Sequence, residues 1–153
     1  MIRIIDYKPE LGHYFEGINK EWIAKYFVLE PIDNKVLEQH KEYILAKGGF
    51  IFFAENDKKE IVGTVALKKE SEGIFELSKM GVIPEFQGKG IGKMLVQFCL
   101  NFAKKHQFKT VFLDSSRKLE NALHIYSKMG FVEVPVPTSE YERCDIRMEI
   151  KLS

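Results

Sequence analysis

Hydrophobic positions along this chain recur with two periods, and the switches between them mark its elements. Ile2-Arg3-Ile4-Ile5 predicts a short strand. Pro9 opens a helix, and Leu11, Phe15, Ile18 and Trp22 give residues 11–26 one buried face. Pro31 stops that element. Asp33 is placed to cap a second helix over residues 34–46, with Leu37 and Ile44 inward and Gly48-Gly49 as its end. Phe50-Ile51-Phe52-Phe53-Ala54 is apolar without interruption, as in a strand covered on both faces. Asn56 to Lys59 turns the chain into a strand over Ile61–Leu67, and Glu70 to Gly73 turns it again into Ile74–Val82.

Residues 90–105 follow as an amphipathic helix, with Ile91, Leu95, Phe98, Cys99 and Phe102 on one face and Lys93, Gln97, Asn101 and Lys104 on the other. Thr110–Leu113 is a strand, parallel to the one before because a helix crosses over between them. Ser115 to Glu120 opens a helix running to about Met129, with Gly130 at its C-terminal end. Phe131–Val134 and Tyr141–Lys151 are strands, and Cys144, Ile146, Met148 and Ile150 alternate with polar residues in the second. The predicted order β-α-α-β-β-β-α-β-α-β-β describes one α+β domain over residues 2–153, a mixed sheet with helices on both faces.

Composition narrows the function classes. Of the 153 residues, 45% are hydrophobic and 29% charged, with a formal net charge of +1. That balance fits a soluble globular domain and gives no broad electrostatic case for nucleic acid. No apolar run approaches the ~20 residues needed to cross a bilayer, and no leader opens the chain, so a cytoplasmic location is expected. The two cysteines, Cys99 and Cys144, are expected as small core residues. His13, His40, His106 and His124 lack metal-ligand spacing, so no metal is expected. His124 is expected on an exposed side of its helix, away from Tyr126.

The chemistry concentrates in Met80 to Lys93, which runs from a strand end through Pro84 into Gly88-Lys89-Gly90-Ile91-Gly92 and a helix. Glycines allow close backbone approach, a helix start offers unpaired N–H groups, and Lys89 and Lys93 add positive charge: together, a cradle for phosphate. The spacing is neither G-x-G-x-x-G nor a Walker A loop, because the third glycine comes early and Met94 follows Lys93. This argues against a nucleotide-binding domain for ATP or NAD.

The wider pattern resembles the GNAT superfamily of acetyl-CoA-dependent N-acetyltransferases. Gln87, Gly90 and Gly92 fill its Q/R-x-x-G-x-G/A pyrophosphate pattern, and Ala122 to Phe131 matches its A-x-x-x-Y-x-x-x-G-F segment. The resemblance runs from about Phe50 to Phe131. It implies acetyl transfer to a primary amine of a small molecule or peptide, with acetyl-CoA as cosubstrate. The backbone of Gln87, Gly88, Lys89, Gly90, Ile91 and Gly92 would face the pyrophosphate, with Lys93 and Ser115 nearby. The main chain of Met80 and Val82 would run beside the pantetheine arm, where the Ile74–Val82 strand splays from Thr110–Leu113. Tyr126 stands at the position of the family's general acid.

One departure is Leu119, at a position where the family often has a cofactor-contacting asparagine. Asn121 lies two residues later, about 200° further around a helix, and Ser115, Ser116 or Arg117 could supply polar contacts instead. Glu76 is the best-placed carboxylate for a general base, with an ordered water or a merely solvated Glu76 as the other options. The family takes substrate choice from its first helices and last hairpin, which here offer Trp22, Phe27, Glu30, Tyr141 and Arg143 as walls, Glu30 as a lure for a cationic amine. A coenzyme-binding regulatory module without turnover is the alternative from another class. A homodimer through a free C-terminal strand edge is the expected assembly if there is one.

Overall fold

The computed structural model describes residues 1–137 and 142–152. Strand β1 (Arg3–Asp6) is followed by a short 3-10 turn and helix α1 (Gly12–Tyr26). Helix α2 (Pro31–Glu38) leads through a π-helical turn at Lys41–Leu45 to β2 (Phe50–Glu55), β3 (Ile61–Ser71) and β4 (Ile74–Val82). Helix α3 (Ile91–Lys105), β5 (Thr110–Ser115), α4 (Glu120–Lys128), β6 (Val132–Val134) and β7 (Ile146–Lys151) complete it. The sheet order is β1-β2-β3-β4-β5-β7-β6. Among the described residues, β4 and β5 alone pair in parallel.

Two buried clusters explain the sequence periods. Leu95, Val96, Cys99 and Ala103 of α3 pack with Val65, Leu67, Leu77 and Val111 on one face of the sheet. Phe15 and Ile23 of α1 and Val36 and Leu37 of α2 pack with Ile51, Phe53 and Ala66 on the other. The apolar run in β2 thus serves both faces, Ile51 and Phe53 toward one cluster and Phe52 and Ala54 toward the other.

The α+β expectation is met, with local corrections. Pro31 does not merely end α1: it occupies the first turn of α2, where its missing N–H costs nothing. Asp33 stands three residues past the cap, and its carboxylate accepts the Glu30 backbone N–H at 2.8 Å. The expected helix over 34–46 is split after Glu38. The last strand starts at Ile146 rather than Tyr141, so Cys144 precedes it. The C-terminal strand is also not a free edge. Strand β7 lies between β5 and β6 and is hydrogen-bonded to both, which removes the expected basis for a dimer through it.

Candidate active site

The glycine stretch forms a turn that only glycine adopts cheaply. Gly88 and Gly90 have φ of +79° and +81°, and a Cβ at either would meet no atom within 4 Å, so the need is conformational rather than steric. Gly90 is the N-cap of α3 and brings no side-chain cap, which leaves the first-turn amides without a side-chain acceptor from the cap. The Gln87 side-chain amide donates to the Val82 carbonyl at 3.0 Å and ties the turn back to the end of β4.

Beside this turn the sheet opens. Strands β4 and β5 pair only at Ile74–Thr110, Phe75–Val111 and Glu76–Phe112. Beyond Glu76 they part, and the separation leads into a cavity of about 770 Å³. Met80, Val82, Gln87, Gly88, Gly90, Ile91, Gly92 and Lys93 line it on the β4 and α3 side, and Ser115 on the β5 side. Lys89 is outside the lining, with its ammonium 5.0 Å from the centre of the Phe86 ring. Trp22, Tyr26 and Phe27 close the end under α1.

A bulge in β4 shapes that end. Ser78 pairs with Ala66 and Gly81 with Thr64, so β4 spends three steps where β3 spends two. The extra residue is absorbed beside Lys79, whose φ of +51° is left-handed. Strict alternation would set Leu77, Lys79 and Gly81 on one face. Instead Leu77 packs toward α3, while Lys79 turns to Asp33 of α2 and Gly81 lies under Trp22 of α1. At Gly81 a Cβ would stand 2.7 Å from Trp22 Cδ1, so glycine is required there by close approach.

The buried Lys79 ammonium donates to Asp33 Oδ1 at 2.8 Å. Arg143 donates to both Asp33 oxygens at 2.8 Å each and to Glu30 at 3.0 Å. Burial alone would raise the Asp33 carboxyl, but the Arg143 hydrogen bonds and the Lys79 charge outweigh it and bring its pKa to about 2. Burial pulls Lys79 the other way, below an ordinary lysine, against the pull of Asp33.

Glu76 and Tyr126 both line the cavity. Desolvation raises the Glu76 carboxyl to about 7, with Lys68 opposing and Asp114 adding to the rise. Tyr126 packs against Phe131, ring centres 5.8 Å apart, and burial pushes its hydroxyl above the usual tyrosine value. Among the described residues its hydroxyl has no hydrogen-bond partner and no fully buried side-chain oxygen or nitrogen is left unpaired, so the hydroxyl opens to the cavity.

Phe27 lines the cavity as expected, and Tyr141 falls outside the described residues. Glu30 does not reach the cavity: it lines a shallower pocket on the far side of Phe27 and is engaged by Arg143 and the Glu142 backbone N–H. Asn121 lines the cavity despite its shift from the family position, together with Leu119, and the exposed His124 stands at its rim. Sequence reasoning missed the inward turn of Lys79, the role of Asp33 beyond its helix, and Lys118, which lines the cavity and donates to the Tyr26 carbonyl at 2.8 Å. Only the break in β4 alternation after Leu77, with a lysine at an otherwise apolar phase, hinted at the first. Among the described residues no group of three or more His, Cys, Asp or Glu side chains is placed to hold a metal ion, and no helix is long and apolar enough to cross a membrane.

Known proteins share this chain's sequence pattern and fold. The family model described as "Acetyltransferase (GNAT) family" matches residues 15–131. The chain is 26% identical over 110 residues to the uncharacterized N-acetyltransferase YjgM of Escherichia coli, covering 69% of this chain and 66% of that one. It is 33% identical over 99 residues to human N-acetyltransferase 8B, but spans only 42% of that protein's length. The chain thus spans less than two thirds of these curated relatives. Among solved structures, a GNAT-family acetyltransferase from Staphylococcus aureus superposes with a TM-score of 0.89 at 22% identity over all of both chains. A spermidine N-acetyltransferase from Vibrio cholerae in complex with CoA and spermine superposes at 0.79, also at 22% identity, over 99% of this chain and 95% of that one. With most of its length matched by the family model and the fold in common, this chain belongs to the GNAT family of acetyltransferases.

Proposed function

We propose that this chain transfers the acetyl group of acetyl-CoA directly to a primary amine of a small molecule or peptide. The observation that carries the reading is that Glu76 and Tyr126 line one cavity, and that the cavity is continuous with the glycine turn and the opening between β4 and β5. The residues fit the coenzyme: uncapped amides at the start of α3 and Lys93 suit a pyrophosphate, and the parted edge of β4 at Met80 to Val82 suits an extended amide-bearing arm. The Vibrio cholerae protein of similar fold is named as a complex with CoA, which supports the same cosubstrate here.

The amine enters beneath Trp22, Tyr26 and Phe27. Glu76, with a pKa near 7, is partly ionised at neutral pH and takes a proton from the amine as the C–N bond forms. The carbonyl oxygen takes up charge beside the parted backbone of β4. As the C–S bond breaks, the Tyr126 hydroxyl meets the departing sulfur with a hydrogen bond and then its proton, which solvent replaces. Its raised pKa keeps Tyr126 protonated across the working range and makes hydrogen bonding to the thiolate the larger part of its contribution.

Tyr126→Phe tests this. Thiol release from acetyl-CoA with a panel of primary amines is expected to fall by ~10²-fold or more, while the coenzyme-induced melting shift stays. A parallel loss of coenzyme affinity, or no turnover in the parent protein, supports a coenzyme-binding module instead.

A further inference from the structure

One face of the sheet carries a row of cross-strand neighbours around Glu76. Lys68 of β3 and Phe112 of β5 are its paired neighbours on either side. Two residues along β5, Asp114 lines the cavity and pairs with Arg147 of β7. Alternation puts Phe112 and Asp114 on one face of β5, and strand pairing puts Glu76 and Arg147 on that same face. Nε and Nη2 of Arg147 donate to the two Asp114 oxygens at 2.6 and 2.8 Å. Its guanidinium lies 4.3 Å from the centre of the Phe112 ring. The ring next to Glu76 in the sheet thus carries a guanidinium, and Asp114 holds it there. Glu76 itself, among the described residues, accepts no hydrogen bond and has no cation within ion-pair distance.

Resting on the acetyl-transfer reading above, we propose that Asp114 is a positioning residue for the reaction: it holds Arg147 on the Phe112 ring and off Glu76, so that the base stays unpaired and open to the amine. A guanidinium beside a free carboxylate pairs with it, and a paired carboxylate is a weaker base. The two-point grip of Asp114 satisfies the guanidinium first. The electrostatics agree with the geometry. The Asp114 hydrogen bond raises the Arg147 pKa, burial opposes it, and the charges of Asp114 and Glu76 add to the rise, so Arg147 senses both carboxylates. At Glu76 burial raises the pKa most, Lys68 and Lys79 oppose, and Asp114 and Glu70 add to the rise. Glu149 of β7 flanks Phe112 on its far side. Across the cavity lie Tyr26 of α1, Lys93 of α3, Lys118, Glu120, His124 and Tyr126 in and before α4, and Arg143. The variants below leave all of these in place, so a shift reads the Asp114–Arg147 pair.

The test follows the Glu76 carboxyl directly. Its carboxyl carbon is titrated by NMR in protein with isotope-labelled glutamate, and is assigned by its absence in Glu76→Gln. The titration is repeated in Asp114→Asn, in Arg147→Gln and in the double variant. Asp114→Asn removes a negative neighbour and releases Arg147, so the Glu76 midpoint is expected to fall by roughly 0.5–1.5 pH units. Arg147→Gln leaves Asp114 uncompensated, so the midpoint is expected to rise by a similar amount. The double variant exchanges one neutral pair for another and is expected to return toward the parent value. The rising limb of kcat/KM, read from thiol release with spermidine, phenethylamine and L-phenylalanine as acceptors, is expected to move with the midpoint in each variant. If one single variant fails to fold, the other still carries a direction of its own. A pair that only ties β5 to β7 lowers the melting temperature when broken and moves neither midpoint. That result, or shifts of the same sign in both single variants, overturns the inference. So does a kcat/KM limb that stays in place while the midpoint moves. Midpoints that move as expected in a protein that releases no thiol with any acceptor remove the acetyl-transfer reading and leave the control of Glu76 by Asp114 standing.

Discussion

Lys79 and Asp33, 46 positions apart in the chain, meet in a buried ion pair at 2.8 Å. The pair joins the bulge of β4 to the first turn of α2, and Arg143 joins the segment before β7 to the same carboxylate. One buried anion thus fixes three walls of the amine-entry end. Asp33→Ala removes the buried anion to which both Lys79 and Arg143 donate. A loss of stability on the order of 3–5 kcal/mol is expected, read from urea midpoints, whereas Asp33→Asn should cost less because it keeps hydrogen-bond acceptance.

The same carboxylate sets an acid limit. Its folded pKa of about 2 lies below the ordinary 3.8, so its contribution to stability is complete above about pH 4 and is lost as pH falls through 2. The melting temperature is expected to drop over that window, and the drop should be shallower in Asp33→Asn. An equal slope in both proteins contradicts the pairing.

Glu76 has the opposite sign. Its folded pKa is raised from 4.5 to about 7, so the fold favours the neutral carboxyl. The stability it contributes is full below about pH 4.5 and is lost as pH rises through 7. Glu76→Gln is therefore expected to gain about 1–3 kcal/mol at pH 8 relative to the parent protein. Catalysis runs the other way, because the base works ionised. In the parent protein kcat/KM should climb to a plateau above about pH 7, and Glu76→Gln should lose roughly 10²- to 10⁴-fold and the climb with it. More stable and less active at pH 8 is a joint signature that a solvated surface carboxylate does not give.

Gly81→Ala separates the two ends of the cavity. The added Cβ lies 2.7 Å from Trp22 Cδ1 and 2.9 Å from Ile18 Cγ2, so Trp22 must shift. The expected result is a raised KM for the amine with most of the melting shift from CoA retained, because the glycine turn is untouched and the added methyl points to Trp22. A lost CoA shift contradicts the division of the cavity into two ends.

Much of this architecture is legible in the sequence because local forces write it there. The two-sided burial of β2 is visible in an unbroken apolar run, and α3 in its 3.6-residue period. The glycine turn is legible because left-handed backbone demands glycine, and Gly88 and Gly90 stand where it is needed. What stayed hidden is non-local. The bulge at Lys79 depends on how β4 lies against β3, and a lysine at an otherwise apolar phase is its one trace in the sequence. The pairing of Asp33 with Arg143 spans 110 positions, so Asp33 reads as a helix cap and Glu30 as an open carboxylate. Strand β7 looks like an edge by being last, but the hairpin to β6 folds it inward between two partners.

The coenzyme site carries the rest, and ligand-dependent melting tests it most directly. The protein is melted alone and with acetyl-CoA, CoA or ATP. A ligand at 100 times its dissociation constant adds about 2.7 kcal/mol of stability, enough for a visible shift. A shift with both coenzymes and none with ATP is the expected result. No shift with either coenzyme, or a larger one with ATP, contradicts the assignment of the β4–β5 opening and the glycine turn to acetyl-CoA.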